Sequence, residues 1–240
     1  MKLLLLLLCC LGMVAPATAA ETDTVILLHG LGRTRWSMSP LASALARDGY
    51  RVVNLTYPSR AVPLETLARD WLPAQLAAHA ADAPRIHFVT HSMGGILVRL
   101  WLRDCGTSAN LGHVVMLAPP NAGSELTDRL NTFPPFRWFT GANGRRLGTA
   151  ATDLPSTLGP WPAPAHPLGI IAADRSLNPL FSALLPGPDD GKVTVARTHL
   201  AGEAAHLVLP FTHTWLAWRT ATARQIAAFL RSGAFAHPGL

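Results

Sequence analysis

Cysteine is nearly missing from this chain. Two of its three cysteines, Cys9 and Cys10, sit in an apolar leader, and Cys105 stands alone beyond it. Loss of the leader leaves no intramolecular disulfide, so stability outside a reducing compartment has to come from the core. Cys105 itself, toward the end of an apolar-periodic segment, reads as a buried or idle thiol. Charge is also scarce: 14% of residues are Asp, Glu, Lys or Arg, against about 25% in an average globular domain. Lysine occurs twice, at Lys2 and Lys192, so the formal net charge of +6 is carried almost wholly by arginine. The arginines are scattered (Arg33, Arg47, Arg69, Arg99, Arg129, Arg175, Arg219), with Arg145-Arg146 as a doublet. A nucleic-acid footprint needs a basic cluster with interleaved aromatics. That partner is therefore excluded, and the arginines read as solvated surface. The remaining partner effect of such a charge is weak, transient contact with anionic membrane surfaces. No self-similarity at a period of roughly 20–50 residues points to a repeat array.

Long hydrophobic runs are absent after the first twenty residues. Before that point, Lys2 precedes an apolar stretch from Leu3 to Val14, and Ala17-Thr18-Ala19 follows. A helix of that stretch rises about 18 Å, short of the ~30 Å a hydrocarbon core requires. Basic start, short apolar middle and A-x-A end read as a cleaved secretory signal over residues 1–19. The expectation is an exported protein, periplasmic or secreted, with no transmembrane segment in the mature chain. Residues 20–240 are long enough for one core and short for two.

What is there is a rhythm. Short runs rich in Val, Ile and Leu (Val25–Leu28, Arg51–Leu55, Ile86–Thr90, His113–Ala118, Leu168–Ala172) alternate with helical patterns over Trp36–Asp48, Leu64–Ala80 and Met93–Asp104. A further helix is expected over Thr214–Arg231. Strand–helix alternation argues an α/β fold with a mostly parallel, doubly wound sheet. Residues 121–167 interrupt the rhythm with Pro, Gly and aromatic residues: Phe133, Phe136, Trp138, Phe139 and Trp161 among them. Aromatics argue against disorder, so this insertion reads as a cap over a site, its first four aromatics being candidates for substrate contact.

Chemistry concentrates in four segments. Thr90-His91-Ser92-Met93-Gly94-Gly95 joins a strand to a helix. A serine on such a tight turn projects above the sheet edge, close to a helix N-terminus. His29-Gly30-Leu31-Gly32 directly follows the first strand. Pro188-Asp189-Asp190-Gly191-Lys192-Val193 offers acids on a turn, and Phe211-Thr212-His213-Thr214-Trp215 offers a histidine ahead of the last helix. A serine is a poor nucleophile without a base, so a histidine and an orienting acid are needed. His199, His206 and His213 are spaced by seven, but Gly202 and Pro210 break any helix that could align them, and no H-E-x-x-H or Cys pair exists. No metal site is expected.

The serine segment resembles the nucleophile elbow of the α/β-hydrolases, G-x-S-x-G, with Thr90 in place of the first glycine. The His29 segment resembles the H-G-x-G loop of lipases and esterases, and Asp189-Asp190-Gly191 resembles the acid turn of secreted bacterial lipases. Ala118-Pro119-Pro120-Asn121 looks like the loop after which the cap of such enzymes begins. The chain is thus identified as α/β-hydrolase-like over nearly its whole mature length. The resemblance implies Ser92 as nucleophile, His213 as base with His206 as runner-up, and Asp190 as acid with Asp189 and Asp174 as alternatives. It also implies the amides of Leu31 and Met93 as oxyanion donors, with His29 orienting its loop and His91 packing. The implied activity is hydrolysis of a small-molecule apolar ester or lipid, with no cofactor. Acyl transfer, amide cleavage and non-catalytic lipid binding are the alternatives.

Overall fold

The computed structural model describes residues 22–236. The expected leader, residues 1–19, lies outside them. The first half of the described chain runs β1 (Thr24–Leu28), α1 (Ser39–Arg47), β2 (Arg51–Leu55), α2 (Leu64–Thr66), α3 (Leu72–His79), β3 (Ile86–His91), α4 (Met93–Cys105) and β4 (Leu111–Leu117). A π-helical turn, Leu67–Trp71, links α2 to α3, so the expected helix over 64–80 is present with one irregular turn. The second half adds α5 (Glu125–Leu130), α6 (Pro134–Gly144), α7 (Leu154–Thr157), β5 (Leu168–Ala173), α8 (Pro179–Ser182), α9 (Val195–Thr198), β6 (Ala205–Leu209) and α10 (Thr220–Ser232).

The six strands form one sheet in the order β2-β1-β3-β4-β5-β6, and all of the pairings are parallel. Why the central strands are rich in Val, Ile and Leu is now visible: β1, β3 and β5 are buried at every position, the polar Thr24, His87, Thr90 and His91 included. Successive side chains point to opposite faces. Ile26, Leu28, Phe88, Met116 and Ile170 join one core cluster, with the buried residues of α4. Val25, Leu27, Val89, Leu117 and Ile171 join the other, with α1 and α10. Each fully buried Leu, Ile or Val contributes on the order of 1.5–3 kcal/mol, and both faces must be covered to collect it. The sheet is doubly wound, as the alternation implies.

Three features depart from the sequence reading. Arg99 is not solvated surface: it is 1% exposed and projects from α4 into carbonyl oxygens of Asn121, Pro155 and Gly159. Its helix is buried along ten consecutive residues, so an arginine there has nowhere wet to go. Cys105, at the last turn of the same helix, is exposed, so of the two readings, a buried or an idle thiol, the buried one fails. The expected helix over 214–231 is two pieces, Leu216–Trp218 and α10, because Arg219 adopts an extended φ/ψ of −96°/132° between them. Among the described residues, no helix is long and apolar enough to cross a membrane.

Candidate active site

The strand order places the site. From β1 the chain crosses to β2 on one side, then returns to β3 on the other. At such a reversal the loops leaving the two strands diverge and open a crevice. The loop after β1 carries His29–Gly32 and the turn after β3 carries Ser92.

Ser92 sits at φ 53°, ψ −124°, a conformation that L-residues avoid at a cost of about 1–3 kcal/mol. The turn is held because its neighbours leave no alternative. The Ser92 amide donates to Leu117 O at 2.8 Å, and the Gly95 amide returns to Ser92 O at 3.0 Å. A Cβ on Gly94 would stand 2.7 Å from Leu28 O, and one on Gly30 would stand 3.1 Å from the Ser92 Cβ. Glycine is therefore demanded at Gly94, while at Gly30 a side chain would fit only if the Ser92 and His91 side chains gave way by a few tenths of an ångström. Thr90, where the resembled motif has glycine, is fully buried, and its hydroxyl finds no partner among the described residues. The bulk fits; the polar atom is left unsatisfied.

His29 is a scaffold for the loop. Its ring stacks on Tyr57 at 4.3 Å between centroids. Its Nδ1 donates to Gly30 O at 2.8 Å, and its Nε2 accepts from the Tyr57 amide at 3.2 Å. Tyr57 Oη donates to His29 O at 2.7 Å. Burial holds the imidazole below its ordinary pKa, which suits the neutral form that this pattern requires. The loop so fixed carries the Leu31 amide past the serine turn. Among the described residues neither the Leu31 amide nor the Met93 amide has a protein acceptor.

Asp190, in the connection from β5 to β6, and His213, in the loop after β6, meet at the end of the sheet. Asp190 Oδ2 accepts from His213 Nδ1 at 2.7 Å, and both side chains are nearly inaccessible. The other carboxylate oxygen, Oδ1, accepts from the amides of Lys192 and Val193 at 2.9 and 2.8 Å. The His213 amide donates to Asp190 O at 3.0 Å, tying the two loops by backbone as well. Neither alternative acid touches the histidine. Asp189 accepts from Ser182 Oγ at 2.9 Å and the Gly191 amide at 2.7 Å. Asp174 has Arg175 at 3.8 Å as its ion partner. His206 bonds Thr198 at 2.8 Å and stacks on His199, away from the pair.

Ser92 and His213 line one cavity of about 320 Å³. The insertion roofs it with Leu126, Phe136, Phe139 and Leu147. Phe133 and Trp138 are not part of the lining, and Phe139, which is, remains 56% exposed at its edge. On α6, Phe136, Phe139 and Thr140 share the face that looks into the cavity, and Trp138, two residues from Phe136, falls on the opposite side. Trp138 instead lies beneath the Arg60 guanidinium at 5.5 Å.

Sequence reasoning understated three residues. His91, read as packing, donates from Nε2 to His213 O at 2.9 Å; burial, with His213 beside it, holds its pKa well below the ordinary value. Arg33 and Lys192 both reach the cavity wall, and the scarcity of lysine was the one available signal for the second. No group of His, Cys, Asp and Glu among the described residues could hold a metal.

The sequence matches the profile of the alpha/beta hydrolase family over residues 25–236. No curated protein matches the chain. Among solved structures, it is similar to the mature form of the Bacillus licheniformis lipase BlEst2. The TM-score is 0.66 at 13% identity, over 92% of this chain and 95% of that one. It is also similar to phospholipase PlaB from Legionella pneumophila, with TM-score 0.67 and 20% identity over 90% of this chain and 60% of that one. A metagenomic carboxyl esterase, MGS0156, gives TM-score 0.61 and 18% identity over 85% and 69%. At these identities the likeness is one of fold.

Proposed function

Because the chain belongs to the alpha/beta hydrolase family, we propose that it hydrolyses carboxylic esters of apolar acids through Ser92, His213 and Asp190. One observation carries the reading: a strained serine and a buried Asp–His pair converge on a single cavity roofed by apolar side chains. Asp190 fixes the proton on His213 Nδ1, which leaves a lone pair on Nε2. Ser92 Oγ attacks the acyl carbonyl and its proton passes to Nε2. The carbonyl oxygen gains the negative charge and takes hydrogen bonds from the Leu31 and Met93 amides. One such donor is worth about 3–4 kcal/mol where it has been measured. The carbonyl re-forms, the alcohol leaves with the proton from Nε2, and the acyl group stays on Oγ. Water, deprotonated by the same nitrogen, repeats the cycle and releases the acid.

The cap supports an apolar acyl group, because Phe136, Phe139 and Leu147 hold a hydrocarbon chain out of water. The leader-like first nineteen residues support export. A fluorophosphonate probe with mass-spectrometric mapping tests the chemistry. The expected adduct is on Ser92, absent in Ser92→Ala and strongly reduced in His213→Ala. Unchanged ester turnover by a folded Ser92→Ala protein would refute the assignment.

A further inference from the structure

The cavity wall has an uneven charge. Arg33 and Lys192 both line it, and no Asp or Glu does. Neither cation has a carboxylate partner among the described residues. Arg33 reaches Thr214 Oγ1 at 3.3 Å, and Lys192 enters no ion pair. The nearest acid, Asp190, has both oxygens engaged by His213 and two amides. Lys192 is moreover the single lysine of the described chain, on the turn that orients the base. Burial and the neighbouring guanidinium both push its ammonium below the ordinary pKa, with Asp190 pulling the other way. Two cations crowd one wall with nothing to neutralise them.

The rest of the lining separates the roles. The apolar roof comes from the insertion. Arg33 lines both this cavity and an adjoining groove walled by Trp36, Trp215 and Trp218. Arg33 therefore stands where the cavity adjoins that groove, and Lys192, on the same cavity lining, is near enough to feel its charge. We propose that the substrate is an acyl ester whose alcohol part carries an oxyanion, a phosphate or a carboxylate, and that Lys192 and Arg33 receive it. This rests on the ester-hydrolase reading of the same cavity. An anion there neutralises the paired cations, and a charge-assisted contact in a partly desolvated site is stronger than one in open water. A quaternary ammonium in its place meets two like charges.

The test compares three esters with one acyl chain: glycerol 1-monodecanoate, its 3-phosphate, and decanoylcholine. Expected kcat/KM falls in the order phosphate, neutral, cationic, with the phosphate ester favoured about 30-fold over the neutral one. The ratio of phosphate to neutral ester drops to about threefold or less in Lys192→Met/Arg33→Gln and is retained in Lys192→Arg, which keeps the charge. A ratio within one protein is insensitive to the fraction folded. Equal ratios in the parent and the double variant overturn the proposal; Ser92-dependent hydrolysis of the neutral ester would then leave the enzyme reading standing. Inorganic phosphate is a further arm. Inhibition by it without any preference for the phosphate ester means a site for free anions and also overturns the proposal. No turnover of any ester by protein of native circular dichroism overturns both readings together.

Discussion

Replacing Asp190 by asparagine tests the geometry of the base without changing its shape. The carboxylate accepts three hydrogen bonds: two amides at Oδ1, from Lys192 and Val193, and His213 Nδ1 at Oδ2. An asparagine can satisfy the two amides by placing its carbonyl oxygen where Oδ1 stands. Its NH2 group then faces Nδ1, which must give up its proton and accept. The proton moves to Nε2, and His213 can no longer take one from Ser92. The reverse orientation points an NH2 group at two amide donors and leaves buried donors unpaired, at about 1–3 kcal/mol each, so the first orientation wins. If His213 is the base, the expected loss in kcat is about 10⁴-fold at neutral pH, the size seen for this change in a Ser-His-Asp enzyme, or about 5 kcal/mol of transition-state stabilisation. Burst kinetics on a p-nitrophenyl ester, with thermal melting to confirm the fold, would measure it. Asp189→Asn is the control, expected to cost less than about tenfold because its bonds to Ser182 and Gly191 do not reach the histidine. A loss below about tenfold in Asp190→Asn, or an equal loss in both, would refute the reasoning.

Gly94→Ala puts a Cβ 2.7 Å from the Leu28 carbonyl. An expected loss of about 1–3 kcal/mol in urea unfolding follows from overpacking against backbone that cannot yield, and an unchanged midpoint would show that the elbow is looser than described. Arg99→Met removes the donor to three backbone carbonyls and to Asn121 Oδ1. Burial already pushes this guanidinium down to about 10, so removing the buried charge recovers part of what the lost hydrogen bonds cost, and a net loss of about 2 kcal/mol or more is still expected; equal stability of the variant would contradict it. Acid should destabilise the fold early. Burial holds His29, His87, His91 and His206 below their ordinary value of 6.5, His206 at about 4. Each binds fewer protons folded than unfolded, so stability is full above pH 6.5 and drains away between there and about 4. Melting temperature against pH, in the parent and in His206→Gln, reads this directly: the variant should lose less across that window.

Much of this was legible in the residues because it is local. The Val-, Ile- and Leu-rich runs of β1, β3 and β5 announce strands covered on both faces, and each observed span differs from the expected one by a single residue. Gly94 and Gly95 after Ser92 announce a helix packed tightly against a strand. Other properties were hidden because they belong to no segment. Arg99 reads like every other arginine until the insertion folds over α4 and supplies its carbonyl partners. Phe133, Phe136, Trp138 and Phe139 are equivalent by composition, and only the placement of α6 shows that Phe136 and Phe139 line the cavity while Phe133, just before the helix, and Trp138, on its other side, do not.

The sequence by itself determined the alternation of elements, the tight strand-to-helix turn at Ser92 and the chain order of Ser92, Asp190 and His213, since each depends on a few neighbouring residues and their steric preferences. Which of Asp174, Asp189 and Asp190 meets His213 was decided by tertiary structure, because a carboxylate reaches that imidazole only where the β5–β6 connection and the loop after β6 are brought side by side. The same holds for Lys192: a lone lysine in a sequence is a charge without an address, and the folded cavity gives it Arg33 for a neighbour and no acid for a partner.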